Sequence, residues 1–222
     1  MNIKKRNIDI CFTPVMIDLF NLSNKQVVII DVFRATSAMC VFLNNGGDKV
    51  IPVFTIEEAK KYQKTKMELS KDSDNYLVAA ERNGDIVDGF DLGNSPLLYA
   101  DKDFSGSSLI ITTTNGTEAI EKSKQAGSGM ILASFLNSHA VINHIINHGQ
   151  GDVLIVCSGW KGRSCIEDML LAGLVTNQLL LNNTFLSSSD SVLLAITLYN
   201  KVKFNIFDFL SQSSYRKRMN ID

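Results

Sequence analysis

Only three prolines occur in the 222 residues, and no stretch rich in Pro, Gly or Ser divides the chain into segments. A formal net charge of −1 leaves no basic excess to hold a nucleic acid or an anionic membrane. Any bound anion must therefore be held by locally placed Arg, Lys and backbone N–H groups. No apolar run reaches the ~18–20 residues that a membrane span needs, and Met1 to Asp9 are too polar to begin a signal peptide. Cysteine is sparse: Cys11, Cys40, Cys157 and Cys165 form no C-x-x-C pair, in a chain apolar enough to do without disulfide staples. These absences lead us to expect a cytoplasmic protein with reduced thiols, no nucleic-acid partner and no membrane partner. They leave quaternary state open, with a homodimer as the working expectation.

What is present is a rhythm of strands and helices. Seven β-branched runs read as strands, at about 8–12, 26–32, 49–53, 76–80, 108–113, 129–133 and 152–157. Several are apolar throughout, as strands covered on both faces are. Thr55 to Glu58 forms a capping box that opens a helix to about Leu69; Thr117 and Ser138 can cap two more. Ser164 with Glu167 opens a long helix to about Leu181, and another covers 190–202. The alternation predicts a layered α/β/α fold with a mainly parallel or mixed sheet, in a single domain over 1–222. Segment 81–106 is the exception: long, Gly-containing and aperiodic, as functional loops are.

Ligands of open α/β sheets bind beyond the carboxyl ends of the strands, and five polar strand ends are expected on one sheet edge. Asp31 and Arg34 follow the second strand; they read as a cation ligand and an anion clamp, or as a simple ion pair. Glu81 and Arg82 follow the fourth strand. Thr112 to Thr117 offers hydroxyls and amides to an anion, or forms only a capped turn. Cys157 and Arg163 have the spacing of cysteine phosphatases, where a thiolate attacks phosphorus; the alternative is a buried cysteine beside an anion-binding loop. Glu167 and Asp168 could serve a metal or proton transfer, or simply complement a helix dipole. His139, His144 and His148 have no supporting acid and read as surface residues.

Taken in order, DVFRATSA (31–38), VIPV (50–53), ER-x-G (81–84), GFDLGNSP (89–96), TTTNGT (112–117), SFLN (134–137) and C-S-G-x-x-G-R-S (157–164) resemble the 2-phosphosulfolactate phosphatases. The resemblance runs from about residue 8 to 180, with a weaker match around Ser213 to Met219. It leads us to expect a further stretch, including a strand, after Asp222. It implies Mg²⁺-dependent hydrolysis of a small anionic phosphomonoester, 2-phospho-3-sulfolactate, to 3-sulfolactate and phosphate, a step of coenzyme M biosynthesis where that cofactor is made.

The roles expected of individual residues are a physical inference beside that resemblance. Asp31 and Glu81 hold Mg²⁺, with Asp91 or Asp168 as alternatives, and Glu167 assists proton transfer. Thr113, Thr114, Asn115 and Gly116 hold phosphoryl oxygens, with Thr36, Asn94 and Thr117 also counted as substrate-binding. Arg34, Arg82 and Arg163 divide phosphate, carboxylate and sulfonate among them. Water is favoured over Cys157 as nucleophile, because cysteine phosphatases need no metal. Two competing readings are a non-catalytic sulfonate- or phosphate-binding protein and a cysteine phosphatase acting on other 2-phospho acids.

Overall fold

The computed structural model describes residues 5–68, 75–82 and 85–219. In chain order the strands are β1 (Arg6–Cys11), β2 (Lys25–Ile30), β3 (Lys49–Pro52), β4 (Asn75–Arg82), β5 (Asp85–Ile86), β6 (Ser107–Thr112), β7 (Met130–Ala133), β8 (Asp152–Cys157) and β9 (Phe185–Leu186). The helices are α1 (Ala35–Asn44), α2 (Ile56–Glu68), α3 (Gly116–Lys122), α4 (Ser138–Asn147), α5 (Ile166–Leu180), α6 (Asp190–Val202), α7 (Ile206–Leu210) and α8 (Ser214–Arg218). The alternating layered α/β architecture expected from the sequence is the one that forms. None of the described helices is long and apolar enough to cross a membrane.

The strands do not share one sheet edge as expected. They divide into a parallel five-stranded sheet, β7-β2-β8-β1-β9, and a four-stranded sheet, β3-β6-β4-β5, in which only β5 runs antiparallel. Both sheets are covered on their two faces, so a strand's apolar pattern is the same whichever sheet it joins. Alternation along β2 shows this directly. Val28 and Ile30 enter a core with α4, α5 and α6, while Val27 and Ile29 enter a second core. That second core lies between the sheets. It takes Leu109 and Ile111 from β6, Ala79 from β4, and Met39 and Phe42 from α1. On the far side of the four-stranded sheet, Val78 and Ile110 pack with Ala59 of α2.

Register then brings the functional strand ends level. Ile30 stands beside both Cys157 and Ala133, and Ala80 beside Thr112. Segment 81–106 is fastened to the core: Leu92 bridges to Ala79, and the buried Tyr99 hydroxyl donates to the Gly93 carbonyl at 2.6 Å.

The capping box at Thr55 forms as predicted, since Glu58 N–H donates to Thr55 Oγ1 at 3.0 Å and Glu58 Oε2 accepts from Thr55 N–H at 3.2 Å. Leu69, the predicted helix end, and Asn83–Gly84 lie outside the described residues. Three other caps differ. Asn115 and Asn137 occupy the cap positions of α3 and α4. The Thr117 hydroxyl instead donates back to the Thr113 carbonyl at 2.9 Å, and that of Ser138 to Phe135 at 3.1 Å. Cys165 caps α5, which places Glu167 in the second helical position, out of register with Ser164 for a capping box.

Helix α5 approaches α6 at Gly173, where a Cβ would strike the Ala195 carbonyl. Gly173→Ala is expected to cost about 1–3 kcal/mol through overpacking. Urea unfolding should show a lower midpoint with an unchanged m-value; an unchanged midpoint would refute this tight contact.

Candidate active site

Asp31 leaves β2 and turns back onto α1. Its Oδ1 accepts from Ala35 N–H at 3.2 Å, and its side chain also accepts from Arg34 N–H. Thr36 locks the turn by donating its hydroxyl to the Asp31 carbonyl at 2.8 Å while accepting from Asp31 N–H at 3.1 Å. The β6–α3 turn closes on the same carboxylate: a Cβ on Gly116 would sit 2.7 Å from Asp31 Oδ2. Gly is therefore the residue that lets the turn of one sheet reach the strand end of the other. Asp168, in the first turn of α5, ties two strand ends together. Its Oδ1 accepts from Val32 N–H and its Oδ2 from Gly159 N–H, both at 2.9 Å.

These turns surround one cavity. Asp31, Glu81, Glu167 and Asp168 line it together with Asn94, Thr113, Thr114, Asn115 and Arg34. All four carboxylates are buried, the most open being Glu81 at 7% exposure. Burial, followed by repulsion from Glu81 and Glu167, pushes Asp31 up to about 7. Burial, then Asp31 and Glu167, raises Asp168 well above the usual carboxylate range, and burial raises Glu167. Three lining side chains also hold a buried polar atom with no hydrogen-bond partner among the described residues: Glu167 Oε2, Asn94 Oδ1 and Thr114 Oγ1. Asn94 keeps its amide nitrogen on Glu81 Oε2 at 3.2 Å. Burying unpaired polar atoms beside repelling carboxylates is unfavourable in a protein at rest, and is the pattern expected of a site that receives a ligand.

Among the described residues no three Asp, Glu, His or Cys side chains converge into a ready-made metal cage. The donor set is nonetheless all oxygen, as a hard cation prefers. Mg²⁺ in particular keeps several waters and takes only one or two carboxylates from its protein. The buried, mutually repelling acids thus fit such an ion.

Other predicted residues stand elsewhere. Asp91 lies on the surface, its Oδ2 accepting from Val78 N–H at 2.9 Å, and is not part of the cavity wall. Arg82 donates to the Glu81 carbonyl at 2.7 Å and to Thr112 Oγ1 at 3.3 Å, outside the wall. Arg163 is exposed and lines an adjoining hollow. Thr36, Gly116 and Thr117 are buried in the turns and shape the site without lining it. Cys157 is the clearest correction. Strand alternation turns it, with Val153 and Ile155, into the core facing α4, α5 and α6. There it has no exposure, and burial, then Asp168, holds its thiol protonated. A thiol so placed cannot act as the attacking thiolate. The three histidines are exposed on α4 and its end, away from the cavity.

The sequence reading assigned no role to Phe33, Gly159, Trp160 and Cys165, nor to Tyr215 and Arg218 of α8 and Met219 just after it, all of which line the cavity. Tyr215 packs on Phe33 with ring centroids 4.7 Å apart, and the Arg218 guanidinium lies 4.3 Å from the centre of the Trp160 ring. The available signal was Ser213, an N-cap ahead of a basic turn.

Comparison with known proteins gives a consistent picture. The profile of a family described as "2-phosphosulpholactate phosphatase" matches residues 11–221. A protein of Thermotoga petrophila named "Probable 2-phosphosulfolactate phosphatase" is 40% identical over 195 residues, 88% of this chain and 78% of its own. Proteins with the same name from Caldanaerobacter subterraneus and Clostridium beijerinckii are 38% and 36% identical, covering 90% and 94% of this chain and 79% and 84% of theirs.

The raised Asp31 has a consequence for stability that can be measured with chelator present. An unfolded chain releases this proton near pH ~4, whereas the folded protein holds it to about 7. Its stabilising contribution is therefore complete below pH ~4 and is lost as pH rises through about 7. Asp31→Asn removes the titration. Its melting temperature should exceed the wild-type value at pH ~8, with the gap narrowing toward pH ~4. A gap independent of pH would contradict the buried charge.

Proposed function

The chain belongs to the 2-phosphosulfolactate phosphatase family, and on that premise we propose that its cavity hydrolyses 2-phospho-3-sulfolactate to 3-sulfolactate and phosphate with the help of Mg²⁺. It is a phosphoric monoester hydrolase, and its substrate is a small phosphate ester. The observation that carries the finer reading is the set of four buried carboxylates that line one cavity together with the unpartnered Thr114 hydroxyl and Asn94 amide oxygen.

Asp31 and Glu81 are the residues that would hold the cation, because they come from different sheets and meet in the wall. Asp168 serves better as a brace, since both of its oxygens already accept backbone N–H groups. Asp91 has no part in this scheme. When bound, Mg²⁺ would neutralise the carboxylates and polarise the phosphoryl group. Thr114 Oγ1, with Thr113 and Asn115, would hold phosphoryl oxygens, and Arg34 would supply a guanidinium for charge-assisted contacts, as their shared place in the cavity wall supports.

Glu167 is the candidate general base. It is 2% exposed, its Oε2 is unpartnered, and burial raises its proton affinity. In that role it takes a proton from water as the water oxygen attacks phosphorus and the ester P–O bond breaks, and the leaving 2-alkoxide then takes up a proton to become the product hydroxyl, which returns Glu167 to its starting state. The buried Cys157 takes no part.

Phosphate release from a panel of 2-phospho acids tests this reading. Release should require Mg²⁺, stop with chelator and return on re-addition. Glu167→Gln should lower kcat about 100-fold or more, while folded Cys157→Ser remains active. Retention of the anion without release at any Mg²⁺ concentration would favour a binding protein instead. A separate readout needs no turnover: Mg²⁺ should raise the melting temperature of the wild type well above its effect on Glu81→Gln. Equal shifts would remove Glu81 from the cation site.

A further inference from the structure

We infer that His144 and His148, one turn apart on the open flank of α4, form a two-imidazole chelate for a borderline divalent transition ion of the Zn²⁺ or Ni²⁺ class. The site is remote from the carboxylate cavity and independent of the reaction proposed there.

Helical periodicity puts the two rings together. Val141, Ile142 and Ile145 of α4 turn into the core shared with α5 and α6. Residues four apart project from the same flank of a helix. The outer surface of α4 therefore carries His144 and His148 side by side, both exposed. Their ring centroids are 5.6 Å apart and their planes are inclined at 47°. A tetrahedral ion ~2.0–2.1 Å from one nitrogen of each ring would set the centroids roughly 5 Å apart. A small rotation of either side chain closes that difference. His139 is excluded by the same geometry. It precedes His144 by five residues, which places it on another flank, and its Nδ1 lies 3.4 Å from the Asn143 amide nitrogen.

The backbone holds the pair at this spacing. His148 N–H donates to the His144 carbonyl at 2.8 Å and Gly149 N–H to the same carbonyl at 3.0 Å. Arg6 of β1 donates to the Ile145 carbonyl at 2.7 Å, and Ile145 itself has no exposure. The turn that carries the rings is thus pinned both by a strand and by the core. Its position at a helix C-terminus adds partial negative charge, which favours a bound cation. With the second imidazole already in place, it joins the first as an intramolecular ligand.

Imidazole nitrogen also selects the class of ion. Zn²⁺ and Ni²⁺ accept it readily, whereas Mg²⁺ prefers oxygen. Among the described residues no third Asp, Glu, His or Cys side chain completes a cage. An ion held here keeps its other positions for water, and its effect on the protein is to cross-link the final turn of α4.

Titration calorimetry of the whole chain with Ni²⁺ and with Zn²⁺ tests the site, with excess Mg²⁺ competing at oxygen-ligand positions. Wild-type protein should bind both ions. His144→Ala and His148→Ala should each weaken binding about 10-fold or more, while His139→Ala keeps the wild-type affinity. Melting gives a second readout, since Zn²⁺ should raise the melting temperature of the wild type more than that of His144→Ala. Absence of binding to the wild type overturns the proposal, as does unchanged affinity in folded His144→Ala or His148→Ala. A loss in His139→Ala equal to theirs would contradict the pairing.

Discussion

Mutual repulsion among buried carboxylates is the constraint around which the rest of this molecule is arranged. Asp31, Glu167 and Asp168 are all buried; beside that burial, Glu167 raises the proton affinity of both aspartates and Asp31 that of Asp168. Such a cluster is unfavourable alone. It persists because the backbone overdetermines each position. Asp31 is fixed by the amides opening α1, and Asp168 by the amides of Val32 and Gly159. The cores on both faces of the five-stranded sheet hold those turns in place. Fold stability is thus the source of the free energy that keeps these acids buried and underpartnered.

Two sheets, rather than one, make this arrangement possible. Asp31, Glu167 and Asp168 sit by the five-stranded sheet, while Glu81, Asn94 and the Thr113–Asn115 turn belong to the four-stranded sheet and its loops. Their approach depends on the shared core filled by α1 and on Gly116, which admits Asp31 where any side chain would collide. Helix α8 then closes the remaining side through Tyr215 and Arg218.

Much of this was legible in the residues, for identifiable reasons. Strand positions followed from apolar runs, and Asp31, Glu81, Thr113, Thr114 and Glu167 from their place at or just after strand ends or at a helix start. Those properties are local. Sheet membership was not legible, because doubly covered strands look alike in either sheet. The side a residue faces was left open where only alternation decides it. Cys157 carries a phosphatase-like spacing yet turns into the core with Val153 and Ile155. Arg82 was drawn into its own turn, and Asp91 onto the amide of Val78. Arg218 fell within the weaker match around Ser213 to Met219, but nothing local to a basic turn indicates that it stacks on Trp160.

The most direct test of the central claim is the number of protons released when Mg²⁺ binds near pH ~7, obtained by calorimetry in buffers of different ionisation enthalpy. Carboxylates that hold protons because they are buried and repel one another must give them up to a cation. The account predicts net proton release that fades as pH rises well above the Asp31 value of about 7. Binding with no proton release across that range, or no binding at all, would contradict it.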